Sequence, residues 1–224
     1  MDSKKKTVFI IHTSRVSVDD LNRLFAELAP RVTVRNIIDD SLLPEVLANG
    51  GVTPGVCRRI CTYAVQAESA GADLIFNQCS SVGEAADLAA KMVSVPLVKV
   101  DEKMAEVACN TGKRIGVVAT LATTMGPTVR LIQKTSDKLG RKIEITQKIV
   151  EGAFDKLIAG DKKTHNSMVI GVIQELTKNV DVVVCAQGSM VALLDELGKT
   201  RVPVLTSPRL GVERAVEVLS QLKL

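Results

Sequence analysis

Aromatic residues are scarce in this chain of 224 residues, which contains four Phe, one Tyr and no Trp. Because 46% of the residues are nevertheless hydrophobic, the core has to be packed mainly by Val, Ile, Leu and Ala. Such a composition is typical of buried parallel strands that are covered by helices. The length is sufficient for one large α/β domain or for two small lobes.

Long apolar runs are also lacking, and no stretch is long enough to span a bilayer. The first residues, Met1-Asp2-Ser3, lead directly into lysines and show no signal-peptide pattern. The five cysteines are odd in number, and neither of the two histidines lies near a cysteine in the sequence, so no metal site is predicted. Free thiols indicate a reducing compartment, and we therefore expect a cytoplasmic protein without a membrane partner.

The net charge of +4 is mild and is spread along the chain. Since there is neither a basic stripe nor a set of interleaved aromatic residues, we expect no nucleic-acid partner. A modest positive balance suits a small anionic substrate instead.

Strands alternate with helices in the first half of the chain, which predicts a doubly wound parallel sheet. Helical periodicity covers Val18 to Leu28, and Pro30 ends it. The four strands are predicted at residues 7–11, 32–38, 72–76 and 95–100.

The second half repeats this series at an almost constant offset. Val202-Pro203-Val204-Leu205 follows Val95-Pro96-Leu97-Val98 by 107 residues. Thr120 likewise follows Thr13 by 107, and Asp181 follows Asp73 by 108. The repeat predicts an α/β fold of two similar doubly wound parallel-sheet lobes, residues 1–108 and 109–224, related by a pseudo-two-fold axis with a cleft between them. The last helix could pack back on the first lobe.

Cys79 lies at the most informative point of the first lobe. A buried strand precedes it, and Ser81 followed by Glu84 has the spacing of a capping box at a helix start. Free amides and the helix dipole at such a position should favour a thiolate. Ligands also bind at this edge of an open α/β sheet. The alternative is that Cys79 is a small packed hydrophobic residue.

Residues 71–79 and 116–124, together with the tandem halves, resemble the aspartate/glutamate/hydantoin racemase superfamily. The resemblance implies catalysis without a cofactor. It implies that two cysteines flank the Cα of a bound acid, where one thiolate removes the proton and the other thiol delivers it to the opposite face. Cys79 stands where the first of these cysteines is expected.

The second half departs from this pattern. The position equivalent to Cys79, six residues after Asp181, is Gln187, and Cys185 stands only four residues after that aspartate. Offsets of four and six share one face of a strand, so Cys185 would lie one layer deeper. Either Cys185 is the partner acid/base after local slippage, or Gln187 has replaced it and Cys185 belongs to the core. Glutamine can hydrogen-bond an enolate oxygen but cannot carry a proton.

Hydroxyl and amide groups at the strand ends are the candidate contacts to the substrate. Backbone amides at a helix start bind carboxylates, and the resemblance places such contacts near Thr120. Thr123 or Thr124 could equally act as ordinary N-caps. Asp39, Asp40 and Asp101 follow strands and could help to orient a polar substrate, but their interpretation as solvated turn residues is favoured. The predicted substrate-binding residues are Thr13, Ser14, Ser80, Ser81, Thr120, Thr123, Thr124, Gly188 and Ser189.

The sequence therefore predicts a cofactor-independent isomerase of the racemase/epimerase type. It would abstract and return the α-proton of a small carboxylic acid, such as an amino acid or a relative of one. A single-cysteine decarboxylase or lyase of the same superfamily is the first alternative, and a non-catalytic small-acid binding protein is the second. Homo-oligomers are common in the superfamily, so one is compatible with the resemblance.

Overall fold

Within residues 5–222, the part of the chain that the computed structural model describes, eight short strands form two parallel sheets of four. Residues 1–4, where no signal-peptide pattern was found, and residues 223–224 lie outside the described part. The predicted α/β class with two parallel-sheet lobes is confirmed. None of the helices described is both long and apolar enough to cross a membrane.

The chain divides into two compact units, of which unit 1 comprises Met1–Glu102 and Pro208–Leu224. Its sheet has the order β2-β1-β3-β4, and every pairing is parallel. The elements are β1 (Thr7–His12), α1 (Val18–Leu28), β2 (Thr33–Ile38), α2 (Leu42–Ala48), α3 (Pro54–Ser69), β3 (Leu74–Asn77), a 3₁₀ turn (Ser80–Val82), α4 (Gly83–Ala89) and β4 (Leu97–Lys99).

Alternation along β1 supplies a core on each face of this sheet. Ile10 packs with Leu21 and Phe25 of α1, whereas Ile11 packs with Ile60 of α3. The ring of Phe25 meets that of Phe76 edge-on, with 5.6 Å between the centroids. This T-shaped contact is one of the few aromatic pairs that the composition allows.

The last helix, α10 (Ser207–Gln221), adds its residues from Pro208 onward to unit 1. Val212, Ala215 and Leu219 join the core beneath β1 and β3. The Lys6 ammonium, just before β1, donates to the carbonyls of Leu219 and Leu222 at 2.7 and 2.8 Å. The carboxyl end of α10 therefore lies at the amino edge of the sheet.

Unit 2 comprises Lys103–Ser207, and its parallel sheet has the order β6-β5-β7-β8. The elements are α5 (Glu102–Thr111), β5 (Arg114–Ala119), α6 (Ala122–Lys138), β6 (Glu144–Ile149), α7 (Ala153–Ile158), α8 (Lys162–Leu176), β7 (Val182–Cys185), a second 3₁₀ turn (Gly188–Leu193), α9 (Leu194–Leu197) and β8 (Val204–Leu205).

Equivalent aspartates accept hydrogen bonds from backbone amides at the start of the first strand in each unit. The Asp73 carboxylate accepts from the Thr7 amide at 2.6 Å. The Asp181 carboxylate accepts from the amides of Lys113 and Arg114 at 3.0 and 2.9 Å, and also binds the Arg114 guanidinium. The hydrogen bonds from Arg114 lower the pKa of Asp181 to about 2.

Replacing Gly211 by Ala should destabilise unit 1, because a Cβ there would lie 2.4 Å from the Val100 carbonyl oxygen. Overpacking of this kind costs about 1–3 kcal/mol. The urea midpoint should fall accordingly. Gly171→Ala is the matched control, because nothing lies within 4 Å of its added Cβ on α8. A Gly211→Ala midpoint at or above the wild-type value would show that α10 does not pack against Val100 as described.

Replacing Asp181 by Asn should lower stability at pH 7, because the folded carboxyl has a pKa of about 2, below its ordinary value of 3.8. A lowered folded pKa stabilises the protein above the unfolded value, and that stabilisation disappears as the pH falls through the folded value. The gap between the two urea midpoints should therefore close between about pH 4 and pH 2. Asp155→Asn on α7 is the control, and a gap independent of pH would contradict the prediction.

Candidate functional site

The strand register places Cys79 beside Thr13 in unit 1. Ile11 of β1 pairs with Asn77 of β3, and Thr13 and Cys79 each lie two residues beyond that pair. The 3₁₀ turn over Ser80–Val82 follows at once. Cys79 is half-buried, and its thiol contacts the buried hydroxyl of Thr13. The side chain thus lies at the carboxyl edge of the sheet, where ligands bind in α/β folds.

Two opposing effects act on the Cys79 thiol. Burial is the larger and raises its pKa, because the charged form is poorly solvated. Hydrogen bonds from the Thr13 hydroxyl, from Ser81 and from the Val82 amide lower it, but by less. The expectation that the helix start would keep this thiol ionised is therefore wrong: the thiol retains its proton at neutral pH.

The capping box predicted from Ser81 and Glu84 does not form. Helix α4 is capped at Val82 without any side-chain hydrogen bond, since the 3₁₀ turn shifts the helix start beyond Ser81. The Ser81 hydroxyl lies near enough to the Cys79 sulfur to affect its pKa. It is buried and has no hydrogen-bond partner of good geometry among the described residues. Its hydrogen can therefore be directed either at the Cys79 sulfur or at a bound ligand.

Asp101 lies at the same carboxyl edge of the sheet, two residues after the end of β4. It is only 3% exposed, so its interpretation as a solvated turn residue is wrong. Burial raises the pKa of the Asp101 carboxyl, while a hydrogen bond with the Ser80 side chain and the charge of Lys99 lower it less. Lys99 itself is paired with Asp87 at 2.7 Å. The candidate contact Ser80 is therefore engaged within the protein.

Cations near the ends of β1 and β2 are paired with carboxylates. Arg15 binds Asp40 at 3.0 Å, and Arg59 binds Asp39 at 2.8 Å as well as Glu45. Burial raises the pKa of Asp39, but hydrogen bonds from Ser41 and Tyr63 and the charge of Arg59 together hold it below its ordinary value. Sequence reasoning missed the Asp39–Arg59 pair because α3 brings its partners together from 20 positions apart.

Two polar residues that the sequence analysis did not single out lie next to Thr13. The Ser17 hydroxyl donates to the Gln78 side-chain oxygen at 2.9 Å. The Gln78 amide nitrogen in turn donates to the Thr13 hydroxyl oxygen at 3.5 Å. Ser14, the remaining candidate of this segment, is half-buried.

In unit 2, β7 pairs with β5 in regular register, with Cys185 opposite Val118. Cys185 is the last residue of the strand and is 1% exposed, in a core with Val150 and Met190. Burial raises the pKa of this thiol to about 12. This environment agrees with the interpretation that Cys185 belongs to the core.

Gln187 occupies the position in unit 2 that Cys79 occupies in unit 1. Thr120 and Gln187 each lie two residues beyond the Val118–Cys185 pair. The Gln187 oxygen accepts from the Thr120 amide and its nitrogen donates to the Thr120 hydroxyl, both at 2.7 Å. Both ends of the buried amide are thus bound within the protein.

The start of α6 presents hydroxyls that do not cap it. Leu121 is the N-cap, and the Thr124 hydroxyl donates to the Leu121 carbonyl at 2.8 Å. The Thr123 hydroxyl oxygen is buried and, within the described residues, has no hydrogen-bond partner. N-capping by either threonine is therefore wrong, and Thr123 keeps a free hydroxyl at a helix start that favours anions.

Gly188 and Ser189 open the second 3₁₀ turn, where Gly188 is half-buried and Ser189 is exposed. In the described part of the chain, no group of three or more His, Cys, Asp or Glu side chains could hold a metal ion.

The fold is that of an α/β protein with two four-stranded parallel sheets. Residues 8–215 match the Asp/Glu/Hydantoin racemase family, and the chain belongs to that family. No match was found among curated proteins.

Solved structures with a similar fold include three racemases. Glutamate racemase isoform RacE1 from Bacillus anthracis is 14% identical, with a TM-score of 0.73, over 97% of this chain and 83% of that one. Picrophilus torridus aspartate racemase is 17% identical, with a TM-score of 0.68, over 97% and 96%. Allantoin racemase from Klebsiella pneumoniae is 14% identical, with a TM-score of 0.65, over 96% and 88%.

Iodoacetamide should alkylate Cys79 but leave Cys185 unmodified in the native protein at pH 8, because the Cys185 thiol has a pKa of about 12 and is 1% exposed. Peptide mass spectrometry should show Cys185 modified only after unfolding in urea. Modification of Cys185 in the native state at the rate of Cys79 would show that its sulfur leaves the core.

Proposed function

We propose that this chain is a cofactor-independent isomerase that transfers the α-proton of a small carboxylic acid through the thiol of Cys79. The observation that carries the proposal is the setting of this thiol in a member of the racemase family. It lies at the carboxyl edge of a parallel sheet, in contact with the Thr13 hydroxyl, with Ser81 and with the Val82 amide.

These contacts suit the chemistry that the proposal requires. An α-proton is weakly acidic, so its removal leaves charge on the enolate oxygens, which need preset donors in a dry site. The Ser81 hydroxyl, which lies in the same unit as Cys79 and beside its sulfur, is a candidate donor to the substrate.

The names of the similar structures indicate which acids to try first. They include aspartate and allantoin racemases and a glutamate racemase from Francisella tularensis in complex with D-glutamate. We therefore propose an amino acid or a related acid as the substrate class.

A single-thiol decarboxylase is the second candidate, and the state of unit 2 favours it. Cys185 lies in the core, and Gln187, at the position equivalent to Cys79, is bound to Thr120. In such a reaction the α-carbon of a malonate-type acid carries two carboxylates: the bond to one of them breaks, CO₂ leaves, and the electron pair is delocalised onto the other as an enolate. The Cys79 thiol then protonates the carbon, and water restores the proton to sulfur.

Deuterium exchange tests the proposal. The protein would be incubated in D₂O with amino acids, hydroxy acids, hydantoins and malonates, and deuterium at the α-carbon followed by NMR. We expect Cys79→Ser to lower the rate by at least about 10²-fold, as for loss of a general acid/base. Cys185→Ala is the matched control, which retains the rate if one thiol suffices and loses it if two are needed. Wild-type exchange in Cys79→Ser would refute the proposal.

The pH dependence of the same reaction separates the two candidates. Proton abstraction needs the thiolate, so an isomerase should speed up as the pH rises towards the raised pKa of Cys79. Protonation after decarboxylation needs the thiol, so that rate should be flat and then fall above the pKa.

A further inference from the structure

A chain of side-chain contacts leads from Ser17 to the Cys79 sulfur. The Ser17 hydroxyl donates to the Gln78 oxygen at 2.9 Å, and the Gln78 nitrogen donates to the Thr13 hydroxyl oxygen at 3.5 Å. The Thr13 hydroxyl in turn contacts Cys79 and lowers its pKa. All four residues belong to unit 1.

The direction of each hydrogen bond in this chain follows from the positions of the Gln78 oxygen and nitrogen. A carboxamide has one accepting and one donating end, and the accepting end of Gln78 is bound to the Ser17 hydroxyl. The donating end of Gln78 is thereby left facing Thr13. The Thr13 hydroxyl has a single hydrogen. Because its oxygen accepts from the Gln78 amide, that hydrogen remains free to be donated to another acceptor. The Cys79 sulfur is an acceptor within reach of the Thr13 hydroxyl.

We propose that Gln78 is a positioning residue for Cys79: its amide, oriented by Ser17, turns the Thr13 hydroxyl so that its hydrogen is directed at the Cys79 sulfur. The inference rests on the proposed role of Cys79 in proton transfer. At 3.5 Å the Gln78–Thr13 contact is long, so the amide biases the hydroxyl rather than locking it.

Unit 2 shows that this amide is not a general requirement of the fold. The position equivalent to Gln78 is Ala186, which has no side-chain donor. The equivalent of Thr13 is Thr120, whose hydroxyl accepts instead from Gln187 at 2.7 Å. A side-chain amide thus precedes Cys79 in unit 1, whereas alanine precedes Gln187 in unit 2.

The test measures the Cys79 thiol directly and needs no substrate. The rate of Cys79 alkylation by iodoacetamide would be followed against pH by peptide mass spectrometry, which separates Cys79 from the half-buried Cys57. Gln78→Leu removes the donor and should raise the thiol pKa by about one unit, which is about a tenfold slower reaction below the pKa. Gln78→Glu should raise it further, because a carboxylate accepts the Thr13 hydrogen and adds negative charge.

Three controls keep the result specific. Gln221→Glu adds the same charge at the end of α10, at the amino edge of the sheet, and should leave the alkylation profile unchanged. Thermal unfolding shows whether each variant remains folded. In a Thr13→Val background, Gln78→Leu should have no further effect, because Gln78 acts through Thr13.

Each outcome decides the inference. Unchanged thiol pKa values in both folded Gln78 variants would overturn it, as would an equal shift with and without the Thr13 hydroxyl. A shifted pKa in a protein that exchanges no α-proton would uphold the positioning role and refute the proposed enzyme activity. If the protein exchanges α-protons through Cys79 but the Gln78 variants leave the thiol pKa unchanged, the proposed enzyme activity is upheld and the positioning role of Gln78 is refuted.

Discussion

The hydrogen-bonded register between the two central strands of each sheet determines which side chains emerge together at its carboxyl edge. Pairing of Ile11 with Asn77 leaves Thr13 beside Cys79, two residues beyond the ladder. Pairing of Val118 with Cys185 leaves Thr120 beside Gln187 by the same count. Backbone ladders of this kind cannot slip by one residue without turning every buried side chain to the opposite face.

This register favours the interpretation in which Cys185 belongs to the core. A thiol at the last paired position of a strand can reach the strand-end position only if the ladder shifts by two residues. Such a shift would keep the buried face, but it would move Cys185 out of the core that it shares with Val169 and Ile173 and would put Val183 at its position. The two units thus carry one scaffold with different chemistry: a titratable sulfur at one strand end and a neutral amide at the other.

Local sequence patterns predicted the scaffold well and the polar contacts poorly. The helix Val18–Leu28 was predicted at both ends, since its periodicity and Pro30 are local signals. Helix α2 was missed because it is only seven residues long and contains a proline. The burial of Asp101 depends on Ser80, 21 positions earlier, and the capping of α4 depends on a 3₁₀ turn that Ser81 and Glu84 do not encode. These features arise from tertiary packing, which spacing along the chain does not reveal.

The pKa of Cys79 links the packing of the site to its chemistry. The burial that raises the pKa also strengthens every donor near the sulfur, because charges interact more strongly where water is excluded. A proton donor benefits from both effects, since it starts neutral and the developing enolate is stabilised. A base bears the cost of ionising first, and only the Thr13, Ser81 and Val82 contacts offset that cost. Under the proposed function, the balance between burial and these three contacts would therefore determine in which direction the Cys79 thiol transfers a proton most readily.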